Sequence, residues 1–181
     1  DGLIAGGLFS PDALNDDITI SGPGWSAIHC GVRSGKHNVV DNSFAGQNYL
    51  QYPGWLERLE TAHPEWNTLS ATQWSPINGQ IVGSSADVIV NPSSAAQASQ
   101  TVVDALQNGD PHAVFVHLDD PDYAGHAYGF SPFVFPYLDA IEAMDVLIGQ
   151  MLGAMEARPN YAEEDWLVLV TTDHGGIGTT H

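Results

Sequence analysis

Residues 113–126 read AVFVHLDDPDYAGH and residues 166–176 read WLVLVTTDHGG, and these two stretches decide the fold. Each opens with a short apolar run, 113–118 and 166–172, of the kind that forms a strand buried on both faces. A long helical pattern separates them, so strands and helices alternate along the chain. This alternation predicts an α/β domain with a largely parallel central sheet.

The remaining elements extend this pattern in both directions along the chain. Apolar residues recur at helical spacing over 93–108 and 135–158. The second of these helices is expected to bury Ile141, Met144, Ile148, Leu152 and Met155. Further strands are expected at 69–74, 80–82 and 88–90, and shorter helices at 1–7 (burying Leu3 and Ile4), from Ser21 and after Pro53. The predicted architecture is a three-layer αβα sandwich that forms a single catalytic domain over residues 1–181.

Charge and composition exclude several classes of protein. The 181-residue chain has 4 Lys and Arg residues against 22 Asp and Glu residues, a formal net charge of -18. This acidity repels nucleic-acid phosphates, so no nucleic-acid-binding surface is expected. The longest apolar run, 166–170, is far shorter than the ~20 residues of a membrane helix. The single cysteine, Cys30, allows no disulfide within the chain. The acidic surface is typical of a salt-adapted or exported protein, or simply of a well-solvated one.

Carboxylates and imidazoles follow both apolar strands. Asp122 and His126 come after the first, and Asp173, His174 and His181 after the second. Ligands of open α/β sheets bind beyond the carboxyl ends of the strands, where both groups fall. An Asp and a His four residues apart are more often a surface pair, but two such groups on neighbouring strands favour a metal site. Nitrogen and oxygen donors suit zinc, with manganese or iron as alternatives.

Ser21 is the candidate nucleophile. The sequence SGPGW, 21–25, is typical of a helix start in which Ser21 is the N-cap. Backbone N–H groups and the helix dipole favour negative charge there, and a metal on the same oxygen favours an alkoxide further. The alternative is an ordinary capping serine that contributes ~1 kcal/mol to helix stability.

These residues resemble motifs of the alkaline phosphatase superfamily, most closely its type I phosphodiesterase/nucleotide pyrophosphatase branch. The stretch 21–31, SGPGWSAIHCG, is similar to the branch's nucleophile helix, with Cys30 in place of the usual Thr. The stretch 37–42, HNVVDN, is similar to the branch's His-Gly-Val-x-Asp-Asn. The resemblance implies that Ser21 is the nucleophile and that Asn42 donates to a phosphoryl oxygen.

The same resemblance implies two divalent metal ions. Asp122, His126 and His181 would bind one ion, and Asp173, His174 and Ser21 the other. It also implies hydrolysis of a small phosphate ester through a phosphoseryl intermediate, and it favours an exported protein, periplasmic or extracellular. It leaves the oligomeric state open.

One metal-binding Asp of the family, at the end of its first strand, has no counterpart. Asp1 is not assigned to it, because no apolar strand precedes it and it lies too close to Ser21. We expect that strand upstream of Asp1 and more sheet beyond His181, so that the chain is a fragment of a larger domain.

Several alternatives stay open. A sulfatase would need an arginine at the position of Trp25, and a monoesterase often uses one, but Arg33, Arg58 and Arg158 are not convincingly placed. Phosphonate hydrolases and phosphomutases share the superfamily. From other classes, the chain could be a non-catalytic metal-binding domain, or a salt-adapted domain with fortuitous clusters. The aromatic residues proposed to line a substrate pocket are Trp25, Phe44, Tyr49 and Tyr128.

Overall fold

A three-stranded parallel sheet lies at the centre of the computed structural model, which describes residues 2–11 and 13–181. The strands are β1 (Thr68–Thr72), β2 (Val88–Val90) and β3 (Ala113–His117), in the order β2-β1-β3. Leu69 of β1 lies opposite Val88 on one side and Val114 on the other. The predicted α/β class with a parallel sheet is therefore confirmed.

Helices surround this sheet. They are α1 (Gly2–Gly6), α2 (Ser21–Cys30), α3 (Ser34–His37), α4 (Trp55–Ala62), α5 (Ala95–Asn108), α6 (Asp120–Tyr128) and α7 (Phe135–Glu156), with a π-helix at Ile77–Val82 and a short 3₁₀ turn at Tyr161–Glu163. None of the helices in the described ranges is long and apolar enough to cross a membrane.

One face of the sheet is covered by α5 and α7. Leu69 and Ala71 of β1 pack with Val102 of α5 and with Met151 of α7 in one buried cluster. Helix α5 forms as predicted: its apolar positions share one face, and Ser94 caps its start by accepting a hydrogen bond from the Gln97 N–H. The apolar residues over 93–108 are thus buried against the sheet, as their helical spacing predicts.

The opposite face is covered by α2, α4 and the π-helix. Trp25, Leu56 and Ile77, one from each element, join a second buried cluster that Phe115 of β3 contacts. Alternate β3 residues therefore point into different clusters, as a strand buried on both faces requires. Helices thus flank the sheet on both sides.

The predicted strand at 80–82 is wrong, because these residues belong to the π-helix. The side chain of Asn78 accepts a hydrogen bond from the Ser70 hydroxyl (2.6 Å) and donates one to the Val90 carbonyl (2.9 Å). These bonds fasten the segment across the sheet face. Ile81 and Val82 are therefore buried although their backbone is helical. A short apolar stretch can belong to a buried strand or to a buried helix, and its pattern alone does not distinguish them.

The predicted buried strand at 166–172 is also wrong. Among the described residues this segment pairs with no strand, and the side chains of Leu167 and Leu169 are about four-fifths exposed (81% and 80%). Only Trp166 packs against the cluster of α5 and α7. An apolar segment is buried as a strand only where a neighbouring strand pairs with it. Among the described residues no strand pairs with 166–172.

Smaller differences concern the ends of helices. Helix α7 ends at Glu156, two residues before the predicted end, and Ile141 is exposed because the buried stripe begins at Met144. Leu3 and Ile4 of α1 are exposed rather than buried. Asp1, which is not expected to be a metal ligand, lies outside the described residues.

Candidate metal centre

The carboxyl end of β3 leads directly into helix α6, which carries two of the predicted ligands. Pro121 lies in the first turn of α6, where its missing N–H leaves no intrahelical bond unmade. Asp122 and His126 stand one turn apart, so their side chains lie on the same side of the helix. The Oδ2 atom of Asp122 is 3.6 Å from Nε2 of His126.

The other predicted ligands lie on the irregular segment 173–181. The imidazoles of His174 and His181 are 3.9 Å apart between ring centroids, and His181 is 4.8 Å from His126 by the same measure. Potential ligand atoms of Asp122, His174 and His181 all lie within 4.8 Å of one another. The structure therefore brings together residues that the resemblance divides between two ions, which fits ions of a two-metal site lying ~3.5–4 Å apart.

Ser21 does not cap helix α2, so the N-cap prediction is wrong. The carbonyl of Ile20 accepts the first helical hydrogen bond, from Gly24 (2.9 Å), which makes Ile20 the N-cap and Ser21 the first helical residue. The Ser21 hydroxyl lies instead 3.2 Å from Nε2 of His174. The helix start thus presents Ser21 to the metal ligands.

Three histidines of the site have the same orientation and the same tautomer. The Nδ1 atoms of His126, His174 and His181 lie 2.8–2.9 Å from backbone carbonyl oxygens. A carbonyl can only accept, so each Nδ1 carries the proton and each Nε2 keeps its lone pair, which in His174 faces the Ser21 hydroxyl. Such backbone bonds orient metal-binding histidines, and the three imidazoles are prepared for a cation.

Ligand spacings also fit a cation near Ser21. Nε2 of His174 is 3.2 Å from the Ser21 oxygen and 3.4 Å from Oδ2 of Asp173. Two ligands that bind one zinc ion tetrahedrally, at ~2.0 Å each, are about 3.3 Å apart. His174 is therefore spaced from both Ser21 and Asp173 as two ligands of one ion would be.

Two buried carboxylate oxygens lack a partner that a cation would supply. Oδ1 of Asp122 and Oδ2 of Asp173 are inaccessible to solvent and form no hydrogen bond. Burial, together with the negative charge of Asp122, raises the pKa of Asp173 to about 7. Burying such oxygens unpaired is costly. The residues present therefore fit a divalent metal ion.

Asp119 is a residue that sequence reasoning missed. It is 8% exposed and lies two residues after the end of β3, and burial, together with the negative charges of Asp122 and Asp173, raises its pKa to about 6. Gln73 fixes this turn: its side chain accepts from the Asp119 N–H (2.8 Å) and donates to Asp120 (2.7 Å). The position of Asp119 at the strand end was the available signal, but Gln73, 46 residues away, offered none.

Asn42, for which the resemblance implies a contact to a phosphoryl oxygen, lies beside the start of helix α2. Its Oδ1 atom accepts a hydrogen bond from the Gly22 N–H at 2.7 Å. A Cβ atom on Gly22 would lie 2.7 Å from the Asp41 carbonyl oxygen, so only glycine permits this approach. The segment 37–42 is thus held against the first turn of α2.

Three of the four aromatic residues proposed to line a pocket are core residues. Trp25, Phe44 and Tyr49 are at most 8% exposed and belong to the cluster under α2 and α4. Their size and shape fill the space between helix and sheet, which is the commoner role of aromatic residues. Only Tyr128, near His126 on α6, is exposed.

Comparison with known proteins identifies the family. The family model of the Metalloenzyme superfamily matches residues 69–180, which include β1, β3, α6 and most of the segment 173–181. The chain belongs to this superfamily. The alkaline phosphatase-like resemblance is thus confirmed at the level of the superfamily, whereas the phosphodiesterase branch stays a prediction.

Two curated relatives are similar to this chain. One is a 2,3-bisphosphoglycerate-independent phosphoglycerate mutase of Cellvibrio japonicus, 25% identical over 93% of this chain. The other, a protein of the same name from Halobacterium salinarum, is 30% identical over 45% of this chain. The chain spans 27% and 14% of the lengths of these relatives.

Proposed function

We propose that this chain carries the nucleophile and most metal ligands of a metal-dependent phosphoryl-transfer enzyme that hydrolyses small phosphate esters through a phosphoserine at Ser21. One observation carries the proposal: the Ser21 hydroxyl, at the start of α2, lies 3.2 Å from Nε2 of His174 among the Asp and His side chains of the site. A serine that only stabilised its helix would cap it, and Ser21 does not.

The two metal ions would be held as the resemblance divides the ligands. Asp122, His126 and His181 would hold one, and Ser21, Asp173 and His174 the other, with zinc favoured over manganese or iron by the imidazole donors. When bound, such ions lower the pKa of the serine hydroxyl and stabilise the charge of the transferring phosphoryl group.

The chain's own residues would orient and transfer the phosphoryl group. The Ser21 oxygen attacks phosphorus and its proton passes to solvent water. The bond from phosphorus to the leaving oxygen of the ester breaks, and that oxygen takes a proton from water and departs as the alcohol. Asn42 has its Oδ1 engaged by Gly22, so its amide Nδ2 can donate to a non-bridging oxygen. Water then cleaves the bond between Ser21 and phosphorus, which restores the hydroxyl and releases phosphate from a monoester or a monoester from a diester.

A diester fits this site better than a monoester, because the basic residues are engaged elsewhere. Arg158 binds Glu164 and Asp110, and Arg33 binds Asp16. Arg58 donates to the Pro53 carbonyl and Lys36 lies over the Tyr52 ring. In the described part of the chain no Lys or Arg side chain contacts a predicted ligand, so the doubly charged monoester would meet no cationic side chain here.

Replacing Ser21 tests the proposal. The zinc-loaded wild type is expected to hydrolyse bis(p-nitrophenyl) phosphate faster than p-nitrophenyl phosphate. After acid quench, mass spectrometry should detect the covalent ester on Ser21, which is a p-nitrophenyl phosphoserine from the diester and a phosphoserine from the monoester. Ser21→Ala is expected to lose both hydrolysis and the covalent ester. Ser94→Ala, which removes a helix-capping serine far along the chain, should keep turnover while losing ~1 kcal/mol of stability. Full turnover by Ser21→Ala would overturn the proposal.

A phosphomutase is the second candidate, and the two curated relatives favour it. In that reaction the phosphoserine returns its phosphoryl group to a hydroxyl of the substrate rather than to water. ³¹P NMR of the zinc- or manganese-loaded protein with 3-phosphoglycerate distinguishes the two reactions. Appearance of 2-phosphoglycerate supports the mutase, whereas inorganic phosphate alone supports the hydrolase.

A further inference from the structure

The geometry assigns to Phe130 a positioning role: its ring locks helix α6 to the segment 173–181 and so sets the spacing of the histidines of the metal centre. This inference rests on the proposed function, since it presumes that these histidines bind metal. Phe130 itself has no ligand atom and would act only through the residues that it contacts.

The ring of Phe130 contacts imidazoles from both ligand-bearing segments. It meets His126 of α6 edge to face, with 5.2 Å between ring centroids and 82° between planes. It meets His181 in the same manner at 6.5 Å. On another side, Tyr137 of α7 supports the ring at 5.6 Å. Rotation of the ring away from this position would therefore remove a packing contact from two of the three imidazoles of the site and leave their orientation to their backbone hydrogen bonds.

Two glycines leave the space that the ring fills. A Cβ atom on Gly125, between Asp122 and His126, would lie 2.2 Å from the Phe130 ring. A Cβ atom on Gly176, two residues after His174, would lie 2.4 Å from it. The ring thus lies between the two ligand segments, in close contact with the backbone of each.

The backbone of Phe130 strengthens this link. Its N–H donates to the Gly178 carbonyl at 2.6 Å, and the two residues form an isolated antiparallel bridge. The segment 173–181 belongs to no strand of the sheet, so local contacts of this kind hold it. His126 adds one more, from Nδ1 to the Thr179 carbonyl. Phe130 therefore supplies both a backbone bond and a packed ring to a segment with few other restraints.

Loss of the ring should weaken metal binding more than it weakens the fold. Residues that orient metal ligands typically contribute 10–100-fold to metal affinity. We expect Phe130→Ala to lower zinc affinity by a factor in that range, measured by competition with a chromophoric chelator. Phe130→Leu, which retains most of the buried volume, should recover a large part of the loss. The absorption spectrum of the Co²⁺-loaded protein should change in Phe130→Ala, because it reports ligand geometry.

The glycines provide a matched pair of variants. Gly176→Ala forces the ring aside and should lower zinc affinity, whereas Gly175→Ala adds the same methyl group with no atom within 4 Å and should bind as the wild type does. In the double variant Gly176→Ala with Phe130→Ala the clash is gone, so it should bind zinc no worse than Phe130→Ala alone.

Two outcomes separate this inference from the proposed function. Wild-type zinc affinity and an unchanged Co²⁺ spectrum in Phe130→Ala would overturn the positioning role alone. A wild type that binds no zinc would overturn the metal centre, and the positioning role with it. Equal loss of affinity in Gly175→Ala and Gly176→Ala would also reject the role, since only one of them reaches the ring.

Discussion

The Oδ1 atom of Asn42 accepts the Gly22 N–H at 2.7 Å, one residue beyond the proposed nucleophile. The bond settles the orientation of the amide, because an N–H donor must face its oxygen. The Nδ2 group is left with two hydrogens, and it forms no hydrogen bond to another part of the described chain. Asn42 thus pairs with a group that the start of a helix leaves unsatisfied and keeps a donor for the substrate.

Two substitutions at Asn42 separate these roles. Asn42→Ala should lower kcat by about 10²–10³-fold, as loss of an oxyanion donor does. Asn42→Asp keeps the acceptor for Gly22 but adds a negative charge, so it should fold normally and lose at least as much activity. Steady-state hydrolysis of bis(p-nitrophenyl) phosphate measures both. Asn48→Ala, at a half-buried asparagine that bonds to Gln51, is the control; an active Asn42→Asp would contradict the assigned role.

Gly24 sets the distance between helix α2 and the second ligand segment. A Cβ atom there would lie 2.9 Å from both Cβ and the carbonyl oxygen of Asp173, so Gly24→Ala must displace the helix or the aspartate. We expect the unfolding free energy to fall by ~1–3 kcal/mol, as overpacking typically costs, and zinc affinity to fall with it. Urea titration and chelator competition measure the two. Gly35→Ala, in α3 with open space around it, should change neither; equal effects would argue against the packing explanation.

Much of the fold could be predicted because periodicity and burial agree. The predictions of helix α5 and strand β3 are confirmed, because the apolar residues that define each pattern are the ones that pack in the core. The predictions for the π-helix and for the segment 166–172 are wrong. In the first, a side-chain amide fastens an apolar run into a helix. In the segment 166–172, the apolar pattern predicts burial, but the side chains of Leu167 and Leu169 are exposed in the described part of the chain.

The site could be predicted in part for a similar reason. Asp122 lies four residues after the apolar run 113–118 and Asp173 directly follows the run 166–172, so the two were expected near one another at the ends of neighbouring strands. They lie in one site although, among the residues that the structure describes, only the first run forms a strand. Phe130 and Gln73 could not be found, because their roles depend on contacts across the fold that no local spacing encodes. The same holds for the tautomers of His126 and His181, which are set by the distant carbonyl groups of Thr179 and Thr19.

Buried histidines should make the fold acid-sensitive. Burial lowers the pKa of His29 to about 4, and its Nε2 has no partner. The unfolded chain takes up the proton between pH 6.5 and 4 and the folded protein does not, so stability falls as pH falls through that window. For His29 this amounts to about 2 kcal/mol at pH 5.

The comparison of wild type with His29→Leu isolates this contribution. Urea unfolding at pH 7 and pH 5, with chelator present, should show a smaller acid loss in the variant by about that amount. Asp119 and Asp173 have raised pKa values, so their protonation stabilises the folded protein as pH falls, opposite to the effect of His29. The comparison of the two proteins cancels this opposing contribution, because both contain these aspartates. An identical acid loss in both proteins would show that the His29 imidazole becomes protonated without unfolding.

Metal binding should release protons near neutral pH. Burial raises the pKa of Asp173 to about 7 and that of Asp119 to about 6, so the metal-free protein holds protons on carboxyl groups that would normally be ionised. A divalent ion favours the ionised form and expels them. Calorimetric zinc titration in buffers of different ionisation enthalpy should therefore show more proton release at pH 6.5 than at pH 8.5, by about one proton from these carboxyls. A ¹³C NMR titration of the metal-free protein gives the direct check: two aspartate carboxyls should titrate above pH 5.5. If every aspartate titrates below pH 5, the site is more hydrated than the packing around Asp173 implies, and metal affinity should then depend far less on pH.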